Sequence, residues 1–467
     1  MLPLKYILTF WCLFFGIVIM SILDFLEDRD SVYSSIFCLY YLLTLYTIWV
    51  SGSKQIRPYL LFYLTFGLFI GGRFWANLIG YEGDIWKPTF FYSYSIPQEH
   101  KINLLRQVIG FMCCSSIGYV LSKKYTAINK LKIDISFSSK TIHQINLILK
   151  YFYVFFVIYV LWTYSAKLIS ALEAGYLSLY IGKQTSEHAT GASLIDALLT
   201  VSVGLAMGYG DSKNRRNYLF LLIMISLFMV VIGSRASLGV TLLLLLWIYA
   251  QYHKINLIKL FLSCIGCMCA LLLVFSFSIR QSEAGSQFSN LWDLMLIFLY
   301  DQGISLMVFD ASQQIDSYPI LAYYTRLFPG VGGIVGLFTG EAFYPQDLSF
   351  SGYMCYVLNP SLYLAGQGLG WTLLSDIYLF SFRLLPVFFL LSICWGYLIG
   401  KLEYWAEYSR FFKSYIYISI SGLLMVPRAS IAGIFPYIFY LLVYLFVVAF
   451  FIQLKNLKND RYCPFVG

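Results

Sequence analysis

Three arginines stand where long apolar runs end: Arg235 in Gly233-Ser234-Arg235-Ala236-Ser237, Arg280 after Phe277-Ser278-Ile279, and Arg428 in Pro427-Arg428-Ala429-Ser430. A guanidinium is always charged and donates two parallel hydrogen bonds, the geometry that matches phosphate oxygens. The apolar run after Arg235 ends near Ala250. A helix of that length reaches only ~24 Å across a hydrocarbon layer of ~30 Å, so Arg235 is expected within the depth of a membrane. The rise from Lys413 to Arg428 is similarly short, and Pro427 breaks that helix and frees backbone groups that need polar partners. Arg280 follows a full-length run and is expected at the interface itself. An arginine held below the interface is costly and is a functional-site hypothesis by default. Snorkelling at helix ends is the competing reading, strongest at Arg280.

Arginines at that depth suit a lipid pyrophosphate. When a glycosyl bond to such a group breaks, negative charge grows on the leaving oxygen, and preorganised guanidiniums stabilise that charge more than the ground state. A sugar acceptor must also lose a hydroxyl proton, which calls for a partly buried carboxylate. Asp376, in Ser375-Asp376-Ile377-Tyr378, lies in an apolar segment where a lone acid is costly unless paired. A helix cap or a salt bridge to Arg383 is its structural alternative, and Glu283, Asp301, Asp310 and Asp316 are the other acids that could serve as base. The expected catalytic set is therefore Asp376, Arg235, Arg280 and Arg428. Arg326, Asp301, Glu283, Tyr353 and Gln367 are expected to bind substrate, with a structural role for Arg326 given equal weight. Gly366, Gly368 and Gly370 read as a flexible loop before a helix, able to cradle a phosphate or simply to turn, and not as a dinucleotide fingerprint. The sequence has no Walker loop, H-E-x-x-H or serine elbow, and its one D-x-D triplet, Asp28-Arg29-Asp30, only follows the first apolar run; a metal-dependent sugar-nucleotide enzyme is not expected, nor is a metal or cofactor. Cys264, Cys267 and Cys269 sit in an apolar run without acidic or histidine neighbours and read as small membrane-core residues.

The elements that position these residues must be transmembrane helices. The chain is 60% hydrophobic and 12% charged, with a mean hydropathy of +0.73, more apolar surface than a soluble domain can hide. Its repeated apolar runs have the length of helical spans, and the alternation of a membrane β-barrel is absent. The net charge of +9 is spread over short loops, the pattern of the positive-inside rule rather than of nucleic-acid binding. Twelve spans are expected, at 4–23, 33–50, 58–71, 103–122, 146–166, 192–210, 217–234, 236–251, 259–279, 384–401, 414–428 and 433–453. The first is read as an uncleaved span rather than a signal peptide. Basic residues then mark the cytoplasmic segments, among them Lys54, Arg57, Lys123, Lys213, Lys254, Lys401 and Lys455, and both termini lie inside. Residues 371–382 are read as a short re-entrant or interfacial helix ending at Arg383. The fold expected is all-α and polytopic, one integral membrane domain over 1–467 with a large extracytoplasmic loop of short helices at 280–383. That loop is aromatic-rich, as a surface on which sugar faces stack would be.

Taken together, Gly233-Ser234-Arg235-Ala236-Ser237, Phe277-Ser278-Ile279-Arg280, the stretch from Asn359-Pro360 to Gly370 with Ser375-Asp376-Ile377-Tyr378, and Pro427-Arg428-Ala429-Ser430 resemble the Wzy-type O-antigen polymerases. Order, spacing and sidedness carry the resemblance over about half the chain; the N-terminal third offers no comparable match. The resemblance implies a GT-C-like glycosyltransferase of the bacterial inner membrane that is metal-independent and inverting. Such an enzyme moves a growing glycan from one undecaprenyl pyrophosphate onto the sugar end of a new lipid-linked repeat unit. The implied partners are the lipid-linked oligosaccharide, inner-membrane lipid, a chain-length regulator and a flippase. Arg235, Arg280 and Arg428 match the arginines assigned to the pyrophosphates. Asp376 matches a position often occupied by Glu, a departure that shortens the side chain. Two rivals stand beside it. An O-antigen ligase uses a histidine in the large outer loop, and residues 281–368 contain none. A flippase or transporter would show two similar halves and short outer loops.

Overall fold

The computed structural model describes residues 4–26, 28–88, 96–125, 137–174, 190–232, 235–276, 291–340 and 343–461. The described residues are helical without a strand. The first half runs α1 (Leu4–Ile22), α2 (Asp30–Ser51), α3 (Pro58–Phe69), α4 (Gly72–Leu78), α5 (Gln98–Tyr125), α6 (Ser139–Ala174), α7 (Thr190–Tyr209), α8 (Ser212–Ile232), α9 (Arg235–Tyr252) and α10 (Leu257–Ser276). Short helices follow: α11 (Leu291–Gln302), α12 (Ser305–Gln313), α13 (Ile320–Leu327), α14 (Val331–Thr339), α15 (Phe350–Leu358), α16 (Pro360–Leu364) and α17 (Leu373–Phe380). Three long ones close the chain: α18 (Leu385–Tyr408), α19 (Arg410–Met425) and α20 (Pro436–Arg461).

Each expected span falls on a helix among the described residues. Among the described residues eight helices are long and apolar enough to cross a membrane, or nine if the bent pair α3–α4 is one span. The expected runs at 192–210, 236–251 and 259–279 lie on α7, α9 and α10, of 20, 18 and 20 residues, while 414–428 lies on the 16-residue α19 and 58–71 bends by 62° into α4. Trp292–Gln313, inside the expected loop, is among the eight. The chain is a multi-pass membrane protein: α1 and α6 turn Phe10, Ile17, Ile158 and Trp162 outward, an apolar surface that lipid covers.

Small residues set the closest helix contacts. Without a hydrophobic drive between helices in lipid, packing depends on backbones approaching closely. Along the α5–α18 seam, a Cβ on Gly396 would stand 1.8 Å from the Ser115 carbonyl oxygen, and one on Gly118 would stand 2.0 Å from that of Ile393. Contacts at each end of the bundle join segments that the charge rule puts on one side. Lys101 meets Asp28 and Arg106 meets Asp24 at one end, while Arg57 meets Glu407 and Lys123 meets Glu403 at the other. The segment 371–382 forms the eight-residue α17, too short to cross, and the chain reverses into α18 through Phe382 (φ 52°) and Arg383 (φ 65°).

Candidate functional site

Asp376 organises one end of the bundle. The chain turns at Gly370, whose φ of 87° favours glycine, and Thr372 then caps α17 by accepting from the Leu374 N–H. This puts Trp371 back against the helix, where its Nε1 donates to Asp376 Oδ1 at 2.8 Å. The other carboxylate oxygen accepts from the Ile431 backbone N–H at 2.8 Å. Asp376 is fully buried. Its ion-pair partner is Arg326, with Nε 3.8 Å from Oδ1, and not the Arg383 expected from sequence proximity. Arg383 instead donates to the Ile315 carbonyl. Burial pushes the Asp376 carboxyl up, and Arg326, the Ile431 N–H, Trp371 and Ser430 pull it back.

Arg326 comes from α13 and lies over the Phe350 ring at 5.0 Å and the Trp371 ring at 5.8 Å. It is buried, and its Nε and Nη2 have no hydrogen-bond partner. Burial pulls its guanidinium down, and Asp376 holds it up. Tyr353 joins the same aromatic wall through Tyr318, ring centroids 5.6 Å apart.

The Asp376–Ile431 bond ties this wall to the turn that carries Arg428. Pro427 lies in the short 3₁₀ turn Val426–Arg428 that ends α19, and Ser430 caps the next turn at Ala432. Arg428 donates to Gln302 Oε1 at 2.7 Å and lies 5.7 Å over Phe69. Gln302 ends α11, beside the exposed Asp301. The sequence-expected residues Asp376, Arg326, Tyr353, Arg428 and Asp301 are thus gathered at one end. Gln367 is half-buried in the glycine turn, its carbonyl accepting from the Cys355 thiol. Arg280, Glu283 and the Arg235 side chain lie outside the described residues; the Arg235 backbone starts α9.

Arg73 was missed. It is fully buried in α4, donates to the carbonyls of Ile85 and Lys87 at 2.9 and 2.7 Å, and lies 4.3 Å over the Tyr300 ring. Its Nε and Nη2 have no hydrogen-bond partner. The backbones of α4 and α11 nearly touch here: a Cβ on Gly72 would stand 2.4 Å from the Leu299 carbonyl oxygen. Arg73 and Arg428 therefore reach consecutive parts of one short stretch, Tyr300 to Gly303. The signal was the one used for Arg235 and Arg428, an arginine closing a short apolar run after a basic anchor, here Arg57.

Chemically, this end offers N–H donors in excess of carboxylates, set on turns and broken helices. Among the described residues no three His, Cys, Asp or Glu side chains are grouped to hold a metal ion. The family described as O-antigen polysaccharide polymerase Wzy matches residues 6–459, nearly the whole chain. No curated protein and no solved structure matches it.

Proposed function

Since the chain belongs to the O-antigen polysaccharide polymerase Wzy family, we propose that it joins undecaprenyl-pyrophosphate-linked repeat units at the periplasmic face of the bacterial inner membrane. Both termini lie in the cytoplasm in this reading. The acceptor hydroxyl attacks the anomeric carbon of the donor glycan with inversion, and undecaprenyl pyrophosphate leaves. Arg428, with Arg235 and Arg280, binds the pyrophosphates and stabilises the charge that grows on the leaving oxygen, without a metal ion. The observation that carries this is the Arg428 turn, fixed by a buried carboxylate through the Ile431 N–H. Asp376, sealed from solvent with a donor on each oxygen, suits a positioning role for that turn. The half-buried Tyr353 and the exposed Tyr324 and Tyr356 supply ring faces on which sugars stack. A flippase delivers the substrate and a chain-length regulator limits the product.

The test is gel analysis of surface lipopolysaccharide from the source strain with this gene deleted. Polymerase function predicts loss of the long ladder, leaving core plus a single repeat unit. Loss of every repeat unit would instead indicate ligase or flippase.

A further inference from the structure

We propose that His100 is the general base that deprotonates the acceptor hydroxyl, with Asp310 as its positioning carboxylate; the assignment rests on the polymerase reading above. His100 stands in the first turn of α5, and its Nδ1 is 3.9 Å from Asp310 Oδ1 on α12. The two differ sharply in exposure: the imidazole side chain is 54% accessible and the carboxylate 4%. That asymmetry is unlike a surface ion pair, in which both partners are hydrated and the gain is small. It matches an orienting acid behind a working imidazole.

The supporting contacts fix both partners. Gln314 donates to Asp310 Oδ2 at 3.2 Å, which leaves Oδ1 turned to the imidazole. Further along the same α5–α12 seam, Gln313 donates to Gln107 at 2.8 Å and sets the register. Two residues beyond Asp310, Ser312 donates to Ser375 Oγ at 2.8 Å, beside Asp376, so the pair is linked to the Arg428 end through α12 and α17. A separation of 3.9 Å exceeds a direct hydrogen bond, but catalytic bonds are often long before substrate binds. With Nδ1–H directed at Asp310, Nε2 carries the lone pair, on an imidazole that is about half accessible. Asp376 offers no comparable access, since both its oxygens are occupied and buried.

The step balances. Nε2 takes the proton of the acceptor hydroxyl as its oxygen forms the new bond to the anomeric carbon. The bond from that carbon to the pyrophosphate oxygen breaks, and its electron pair leaves with undecaprenyl pyrophosphate. The Asp310 carboxylate offsets the imidazolium charge until the proton passes to water.

The experiment uses membranes from the deletion strain carrying the full-length protein or its variants. Lipid-linked repeat units extracted from that strain are the substrate, and chain growth is the readout. His100→Ala is expected to slow growth by about 10²-fold or more, and free imidazole to restore part of the rate. Asp310→Asn is expected to lower kcat with KM unchanged, and to add little in the His100→Ala background, as groups acting as a unit do. A wild-type rate in His100→Ala, or a loss that imidazole does not restore, would overturn the assignment. Should His100→Ala fail to reach the membrane, His100→Gln carries the same test. Arg428→Ala in the same membranes separates the two levels. An active Arg428→Ala would sink the polymerase site itself, whereas an inactive Arg428→Ala beside a fully active His100→Ala would remove only the base.

Discussion

At the Glu403 end of the bundle, a buried carboxylate is fully answered. Its Oε1 accepts from the Tyr59 N–H at 2.7 Å, and its Oε2 from the Tyr119 hydroxyl at 3.0 Å and the Lys123 ammonium at 2.7 Å. Arg57 pairs with Glu407 beside it. At the Arg428 end, Asp376 is as deeply buried, but the cations around it are under-used: Arg73 and Arg326 each keep two nitrogens without a hydrogen-bond partner. Burying a guanidinium without satisfying it costs stability, so a fold that only needed struts would build both ends like the first. The difference separates charge answered within the fold from charge whose donors the fold leaves unused, which the proposed function assigns to the pyrophosphate.

The comparison is sharpest at Asp376. Asp376→Leu leaves Arg326 buried without its counter-charge, and a loss of about 3–5 kcal/mol in folded stability is expected. Adding Arg326→Met is expected to recover most of that stability, since an apolar pair replaces a buried ion pair well. The ladder of polymerised glycan is expected to stay lost, because nothing then holds the Ile431 N–H and the Arg428 turn. A thermal melt in detergent and a gel of the surface glycan check the two halves. Recovery of the ladder along with the melt would place this end in the same class as Glu403. Next in size, Glu403→Gln is expected to cost about 2–3 kcal/mol by weakening hydrogen bonds to a charged group, with chain growth per folded molecule unchanged. A fall in specific activity would break the division of labour between the ends. The smallest effect belongs to Glu407→Ala, whose side chain is 46% exposed; under about 1 kcal/mol is expected in the same melt.

How far these ends were legible from the sequence follows from the range of the contacts. Arg428 announced itself, because a proline beside an arginine at the end of a short apolar run is a local signal. Which segments share an end of the bundle was legible in part: Asp28–Lys101 and Arg57–Glu407 join segments that the charge rule had put together. Asp376 was visible as a lone acid, but its partner was not. Arg383 is seven residues away in the chain, whereas Arg326, fifty residues upstream, is the one that folding brings in. Arg73 carried the right signal and was passed over, because 58–71 read as an ordinary span and its 62° bend follows from packing α4 onto α11. The bend between α3 and α4 and the broken helix over Trp292–Gln313 were not legible, because hydropathy registers apolar length and not where the backbone turns. The absence of histidine from residues 281–368 had seemed to leave that segment without one, yet α5 brings His100 to Asp310 within it.

The most direct measurement is the surface glycan of the deletion strain complemented with Arg428→Ala, run beside wild type at matched protein levels in the membrane. If the arginine end holds the departing pyrophosphate, the variant leaves core plus a single repeat unit and no long chains. A ladder of normal length from Arg428→Ala would contradict the account.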